Sequence, residues 1–433
     1  MGEFKLAELL QLTKDGEWGK GEPSPDLEPM LVIRGTDFAD VRHSDIASVP
    51  LRYIPKAIAD RKALQPEDIL IETAGGTIDQ PTGRTLYLKA ELFEQSNVRF
   101  TCASFSRFLR VKRDLIRPDY LFWFLQNLYR IGEMDPFHVQ HTGVARFQYT
   151  QFSEFQIVPV PDANVQDAVA TLLNALDDKI SVNRRMNETL DAMTRAIFKD
   201  WFVDFGPTRV KMERGSPYLA PEIWALFPDQ LDEEGKPDGW QIGCLADVAD
   251  VIMGISPDGG TYNDRGEGMP LVNGPAEYGD FFLKRIKWTT APNKVSRRGD
   301  LIICVRGSTT GRHSFADGEY CLGRGVAAVR SQKGQQEFVD ASVLVHVDRL
   351  LQRTTGSVFP SLSSGDFRTF EILVPGDAVC RSYCEAVRTM REQVWANVEQ
   401  SSTLCKLRES LLPKLISGEI RIREAEKVLE AAL

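Results

Sequence analysis

Residues 165–201 read VQDAVATLLNALDDKISVNRRMNETLDAMTRAIFKDW, and residues 379–415 read VCRSYCEAVRTMREQVWANVEQSSTLCKLRESLLPKL; they align without a gap at a spacing of 214 residues. In the first stretch apolar side chains recur every seven residues at Val169, Leu176, Leu190 and Ile197, with Leu172, Met186 and Met193 three positions later. The second places Tyr383, Met390, Leu404 and Leu411 at the matching seventh positions, and Val387, Val394, Leu407 and Leu415 widen the stripe. A sustained seven-residue repeat makes an apolar seam that needs another helix against it. Two long helices are therefore expected. Pro413 lacks a backbone N–H and is expected to kink or end the second, with Gly418 as its stop. One heptad position is polar in both seams, Asn183 and Asn397. If the helices run antiparallel about a pseudo-two-fold axis, these amides meet at the centre and fix register at some cost in stability. Asn183, Asn397, Leu190 and Leu404 are the expected register residues.

The duplication extends outward from the helices. PEDILIETAGGTIDQPTGR, 66–84, and GDLIICVRGSTTGR, 299–312, each carry an acidic residue into an apolar strand and then a Gly/Thr-rich turn. FSEFQIVPVP, 152–161, likewise matches GDFRTFEILVP, 365–375. Strands are expected at Leu31–Ile33, Ile69–Glu72, Leu301–Val305 and Val326–Val329, and a short amphipathic helix at Tyr120–Tyr129. The fold class is α/β (α+β) with mixed or antiparallel sheet. Two globular units, 1–160 and 241–376, would be separated by long antiparallel coiled-coil helices at 161–205 and 377–417, with a tail at 418–433. A helix of about 36 residues is roughly 54 Å long, so the globular units would lie at opposite ends of a rod. The segment 206–240, holding Pro207, Pro217, Pro221, Pro228 and Pro237, reads as an extended connector.

The 433 residues are 42% hydrophobic, enough for real cores, and no apolar run approaches the roughly 18 residues of a membrane helix. The first residues, MGEFKLAELL, do not read as a signal peptide. Seven cysteines without a CxxC pair fit a reducing cytoplasm and argue against structural zinc. The net charge of −9 hides two basic windows: Arg99 to Arg117 holds six basic residues against Asp114, and Lys284 to Arg312 holds eight against Asp300. Local patches matter more for phosphate contact than the whole-chain balance.

Catalytic constellations dissolve on inspection. Asp135-Pro136-Phe137 lacks the second proline of an amino-methyltransferase motif. Asp229, Glu234 and Lys236 lie too close in sequence to surround a magnesium ion from adjacent strands. His138 and His141 have no third ligand. Gly75-Gly76 lacks the Lys-Ser/Thr of a phosphate loop. Cys380 and Cys384, one helical turn apart, read as packing. Recognition chemistry remains: Arg forks onto guanine and Gln onto adenine in the major groove. Gln80, Arg84, Arg107, Arg110 and Arg146 offer such groups in the first half, and Arg306, Arg312 and Arg324 in the second. Taken singly, each arginine is more often an ordinary surface or ion-paired residue; repeated loops strengthen the set.

NRRMNETLDAMTRAIFKDWFVDFGP, 183–207, resembles the central conserved region of type I restriction–modification specificity subunits, and LRESLLPKLISGEIRI, 407–422, resembles their C-terminal conserved region. ILIETAGGTIDQPTGR, 69–84, and residues 299–330 are similar to segments of target recognition domains in that family. Phe4 to Leu9 stands where the family's frequent Trp-x-x-x-x-Leu opening would be. The resemblance implies a non-catalytic DNA-specificity subunit in the cytoplasm. Each target recognition domain would read half of a bipartite double-stranded DNA sequence, with the helices as spacer ruler. It implies as partners two modification (methyltransferase) subunits and restriction (translocase/nuclease) subunits. S-adenosylmethionine, ATP and Mg²⁺ would then reside on those partners only, with no cofactor or metal on this chain. A stand-alone DNA methyltransferase or nuclease, and a protein-only adaptor, are the alternatives.

Overall fold

The computed structural model describes residues 2–76, 80–140, 144–279, 281–352 and 360–432. The chain forms two compact units, Met1–Asn183 with Glu399–Leu433, and Arg184–Val398. The long helices, expected as segments of their own, are shared out between the units.

The first unit contains strands Gly2–Lys5 (β1), Leu10–Asp15 (β2), Leu27–Ile33 (β3), Leu51–Pro55 (β4), Ile69–Glu72 (β5), Thr85–Tyr87 (β6), Arg99–Cys102 (β7), Ser106–Val111 (β8), His138–Val139 (β9), Arg146–Phe147 (β10) and Ile157–Val160 (β11). Its main sheet has the order β2-β8-β5-β6, and a second has β4-β3-β7. The β3–β7 pair is parallel and the other pairs are antiparallel, so the sheet system is mixed. β1 pairs with β11. Ile69, Leu70 and Ile71 are fully buried because β5 is covered on both faces. Ile69 and Ile71 join the core built on helix Pro118–Arg130, while Leu70 packs toward β3 and β7.

The second unit contains Gln241–Cys244 (β12), Ala249–Met253 (β13), Tyr262–Asn263 (β14), Met269–Val272 (β15), Trp288–Thr289 (β16), Leu301–Cys304 (β17), His313–Phe315 (β18), Cys321–Leu322 (β19), Val326–Ser331 (β20) and Glu371–Val374 (β21). Its main sheet runs β13-β20-β17-β18, the same plan as β2-β8-β5-β6. β15 and β19 repeat the parallel pairing of β3 and β7, and β12 pairs with β21 as β1 does with β11. Strand β17 is again sandwiched, with Leu301 and Ile303 on one side and Ile302 on the other.

The long helices are Ala163–Phe202 and Asp377–Ser417. Within the first unit, Asp177 pairs with Arg408 and Asn183 Nδ2 donates to Gln400 Oε1 (2.9 Å) and Ser401 Oγ (3.1 Å). Within the second, Asn397 Nδ2 donates to Asn187 Oδ1 (2.8 Å), and Phe198, Trp201 and Phe202 pack on Tyr383. In both, residue numbers rise along one helix as they fall along the other, so the packing is antiparallel. Two sequence-based expectations are corrected. The second line of the first seam falls four residues after Val169 and Leu176, at Leu173 and Ile180, while Met186 and Met193 are exposed. The heptad offers both a three- and a four-residue step, and packing selects the latter. The helix also continues through Pro413, because Leu411, Leu412, Leu415 and Ile416 on either side of it are buried in the first core; it ends at Ser417 before Gly418, whose φ is +77°.

The segment 206–240 is folded rather than extended. Pro207 and Pro221 occupy first-turn positions of helices Gly206–Met212 and Pro221–Trp224, where a missing N–H costs nothing. Phe227 and Trp240 enter an aromatic cluster with Trp201 and Phe202. Their aromatic content, not their proline content, decides the outcome.

Asp177 is the polar centre of the first unit. Its carboxylate receives the Arg42 guanidinium (3.0 Å) and Arg408, and is 4% exposed. Burial pushes this carboxyl up, but Arg42 and Arg408 outweigh that and hold it below the usual carboxylate range. Its stabilising contribution is therefore present above the unfolded carboxylate value, about 3.9, and lost as pH falls through the lowered folded value. Asp177→Asn should reduce unit stability by about 3 kcal/mol, and urea titrations from pH 7 to pH 3 should show a shallower acid loss than in the parent chain.

Candidate nucleic-acid interface

The central strands β5 and β17 organise matching ends of the two units. At the entry of β5, Asp68 receives Arg110 through Nε (2.8 Å) and Nη2 (2.7 Å), and also caps the Gln65 N–H. At the entry of β17, Asp300 receives Arg330 through Nε (2.8 Å) and Nη2 (2.6 Å), and caps the Arg297 N–H. This is one device built twice. It explains the acidic residue that precedes each apolar run. Arg110 was a candidate reader; its fork is occupied by a carboxylate 2% exposed, so its role is structural. Arg330, its counterpart, was not singled out from sequence.

At the far ends of the strands, Gly83 donates to Glu72 O and Gly311 to Cys304 O, in turns that require positive φ of 103° and 90°. Glu72 N–H then donates to Arg84 O, and Cys304 N–H to Arg312 O. Arg84 and Arg312 are thus equivalent, but their surroundings differ. Arg84 is clasped by Glu72, Nε to Oε2 at 2.8 Å and Nη2 to Oε1 at 2.6 Å, and this hydrogen bonding to Glu72 raises its pKa. Arg312 is exposed and makes no ion pair with a described residue.

One step further along, Ala74 bridges Arg146 in the first unit, and Arg306 bridges Ser361 in the second. The same position holds an exposed arginine in both, supplied by opposite partners. Register places Arg324 across from Arg306, because Cys304 opposes Val326 and Val305 N–H donates to Gly325 O. Arg306, Arg312 and Arg324 therefore share one end of the β18-β17-β20 sheet, each exposed and without an ion pair to a described residue.

The first unit's end forms an open concavity of about 550 Å³ around Arg146, lined by Thr73, Ser104, Phe105, Arg107, Gln148 and Gln151 among others. Arg107 is committed: it pairs with Asp15 at 2.7 Å and stacks over Tyr149 at 4.5 Å. Gln80 is exposed at the edge of the described region. Phe105, 58% exposed, together with Gln148 and Gln151, was missed. Alternation of apolar and polar residues along 145–150, Ala-Arg-Phe-Gln-Tyr-Thr, was the available signal for Gln148.

The other motifs are accounted for structurally. His138 Nδ1 accepts from Thr82 N–H at 3.0 Å, and His141 lies outside the described residues. Asp229 pairs with Lys211, and Glu234 with Lys236. Cys380 and Cys384 are buried, and burial pushes both thiols up to about 12. Among the described residues, no group of three or more His, Cys, Asp or Glu is placed to hold a metal ion. No helix among them is long and apolar enough to cross a membrane.

Residues 237–378 match the model of the type I restriction modification DNA specificity domain. The chain is 23% identical over 447 residues to the MjaIX type I restriction enzyme specificity subunit of Methanocaldococcus jannaschii, covering 98% of this chain and 97% of that protein. The chain is thus similar to type I restriction–modification specificity subunits along nearly its whole length. The HindI specificity subunit of Haemophilus influenzae is 22% identical over 317 residues, 60% of this chain and 68% of that one. The crystal structure of a type I S subunit from M. genitalium has the same fold, with a TM-score of 0.55 at 13% identity over 96% of this chain and 95% of that chain. The domain model falls on the second unit, and the internal duplication extends the same plan to the first.

The division between scaffold and surface arginines is testable by denaturation. Arg330→Ala strands Asp300 and should cost about 3 kcal/mol in guanidinium unfolding. Arg324→Ala, with no partner to lose, should change stability by less than about 0.5 kcal/mol.

Proposed function

We propose that this chain reads a bipartite DNA sequence, each unit contacting one half-site through the arginine-bearing end of its main sheet. The observation that carries this reading is the repeated placement, at equivalent sheet ends of a duplicated fold, of exposed arginines that make no ion pair with a described residue. A free guanidinium can fork onto guanine O6 and N7, while one already held by a carboxylate cannot. The two ends differ in residues, with Arg146, Phe105 and glutamines in one and three arginines in the other, so the half-sites are expected to differ. The chain itself is the specificity component and not the catalyst. Two modification subunits would dock on the long helices, and restriction subunits would complete the cytoplasmic assembly. S-adenosylmethionine, ATP and Mg²⁺ would be bound by those partners. The acidic net charge fits a division of labour in which partners supply much of the phosphate clamp.

Methylation-sensitive sequencing of DNA from cells expressing the chain with its modification partner tests the reading: it should return a two-part motif with a fixed spacer. A purified chain that methylates or cuts DNA alone, or an assembly that ignores sequence, would overturn it. Arg324→Ala should relax one half-site only, at roughly 1–3 kcal/mol for a bidentate base contact. Inserting four residues beside Asn183 should lengthen the preferred spacer and leave both half-sites unchanged in the sequenced motif.

A further inference from the structure

The equivalence of Arg84 and Arg312 carries a consequence beyond the assignment of a DNA-facing end, on which it rests. Residues directly opposed in an antiparallel ladder place their side chains on the same face. Position 72 therefore decides what position 84 meets, and position 304 what position 312 meets. In the first unit that residue is Glu72, 3% exposed, and it takes both sides of the Arg84 fork. The turn after β3 closes over the pair: a Cβ on Gly35 would lie 2.5 Å from Glu72 Oε1 and 3.3 Å from Arg84 Nη2. Phe38 flanks the guanidinium at 6.0 Å. In the second unit the residue is Cys304, whose thiol donates to the Arg306 carbonyl oxygen at 3.4 Å and offers no carboxylate. The turn after β15 leaves the space around Gly274 open, with nothing within 4 Å of a Cβ there.

We propose that positions 72 and 304 set how many cations each unit turns toward DNA: Glu72 withdraws Arg84 from the first interface, and Cys304 leaves Arg312 available to the second. Glu72 is then a specificity-determining residue that acts by removing a contact. The two halves of one duplicated fold thereby differ in charge at an otherwise identical turn, PTGR against TTGR.

The test measures affinity against salt for the full chain assembled with its modification subunits, on a duplex carrying the motif found by sequencing. Each cation placed on a phosphate adds about 0.9 to the slope of log affinity against log salt. Arg312→Ala should lower the slope by about that amount, and Arg84→Ala should leave it unchanged. Cys304→Glu should draw Arg312 inward and reproduce the loss seen with Arg312→Ala. Glu72→Cys should release Arg84 and raise the slope. Thermal melting checks each variant, and the charge-free pair Glu72→Gln with Arg84→Gln replaces Arg84→Ala if the single change does not fold. An equal loss from Arg84→Ala, or a folded Cys304→Glu with unchanged slope, overturns the inference while Arg312→Ala still weakens binding. If Arg306→Ala, Arg312→Ala and Arg324→Ala all bind as the parent does, the DNA-facing end itself is misassigned and the inference falls with it.

Discussion

Pairing register in the antiparallel ladders around β5 and β17 is the constraint from which the arginine-bearing end of each unit follows. It opposes Glu72 to Arg84 and Cys304 to Arg312, and it aligns Arg306 with Arg324 beyond the last paired rung. A slip of one residue would turn every one of these side chains to the other face. Both strands are buried on both sides, which makes such a slip expensive. At the opposite end of the strands, Asp68 with Arg110 and Asp300 with Arg330 lock the same register by charge-assisted hydrogen bonds.

The helices are tied to the globular parts by polar contacts as well as by apolar packing. In the first unit Trp123 Nε1 donates to Asn174 Oδ1, and Arg42 reaches Asp177. In the second, Arg391 pairs with Asp340 at 2.6 Å and lies over the Phe315 ring. Asp177 and Arg391 occupy equivalent places in the gap-free alignment with opposite charge. Each anchors its own unit to the helices by a different partner, which removes the freedom to exchange the two attachments. Burial pushes the Asp340 carboxyl up to about 6 even beside Arg391, a mark of how dry that junction is.

Much of the plan was legible before any coordinates. The seven-residue repeat located both long helices because period reports which face is covered, and the paired strand–turn motifs exposed the duplication. Two kinds of residue misled. Prolines in 206–240 suggested an extended connector, yet two of them begin helices and the neighbouring aromatics bury themselves. Arg84, Arg107 and Arg110 looked like open readers, yet each is held by an acid that is distant or inconspicuous in sequence: Glu72, Asp15 and Asp68. Phe105, Gln148 and Gln151 left too faint a trace, because a loop side chain's exposure depends on what folds beside it.

By itself, the order of residues determined the duplicated architecture, the antiparallel helices and the similarity to type I specificity subunits, since periodicity and repeated motifs are written in the chain. Which arginines remain available to a ligand was decided only by tertiary structure. An ion pair is a meeting of groups far apart along the backbone, and no local pattern announces whether the carboxylate will be there.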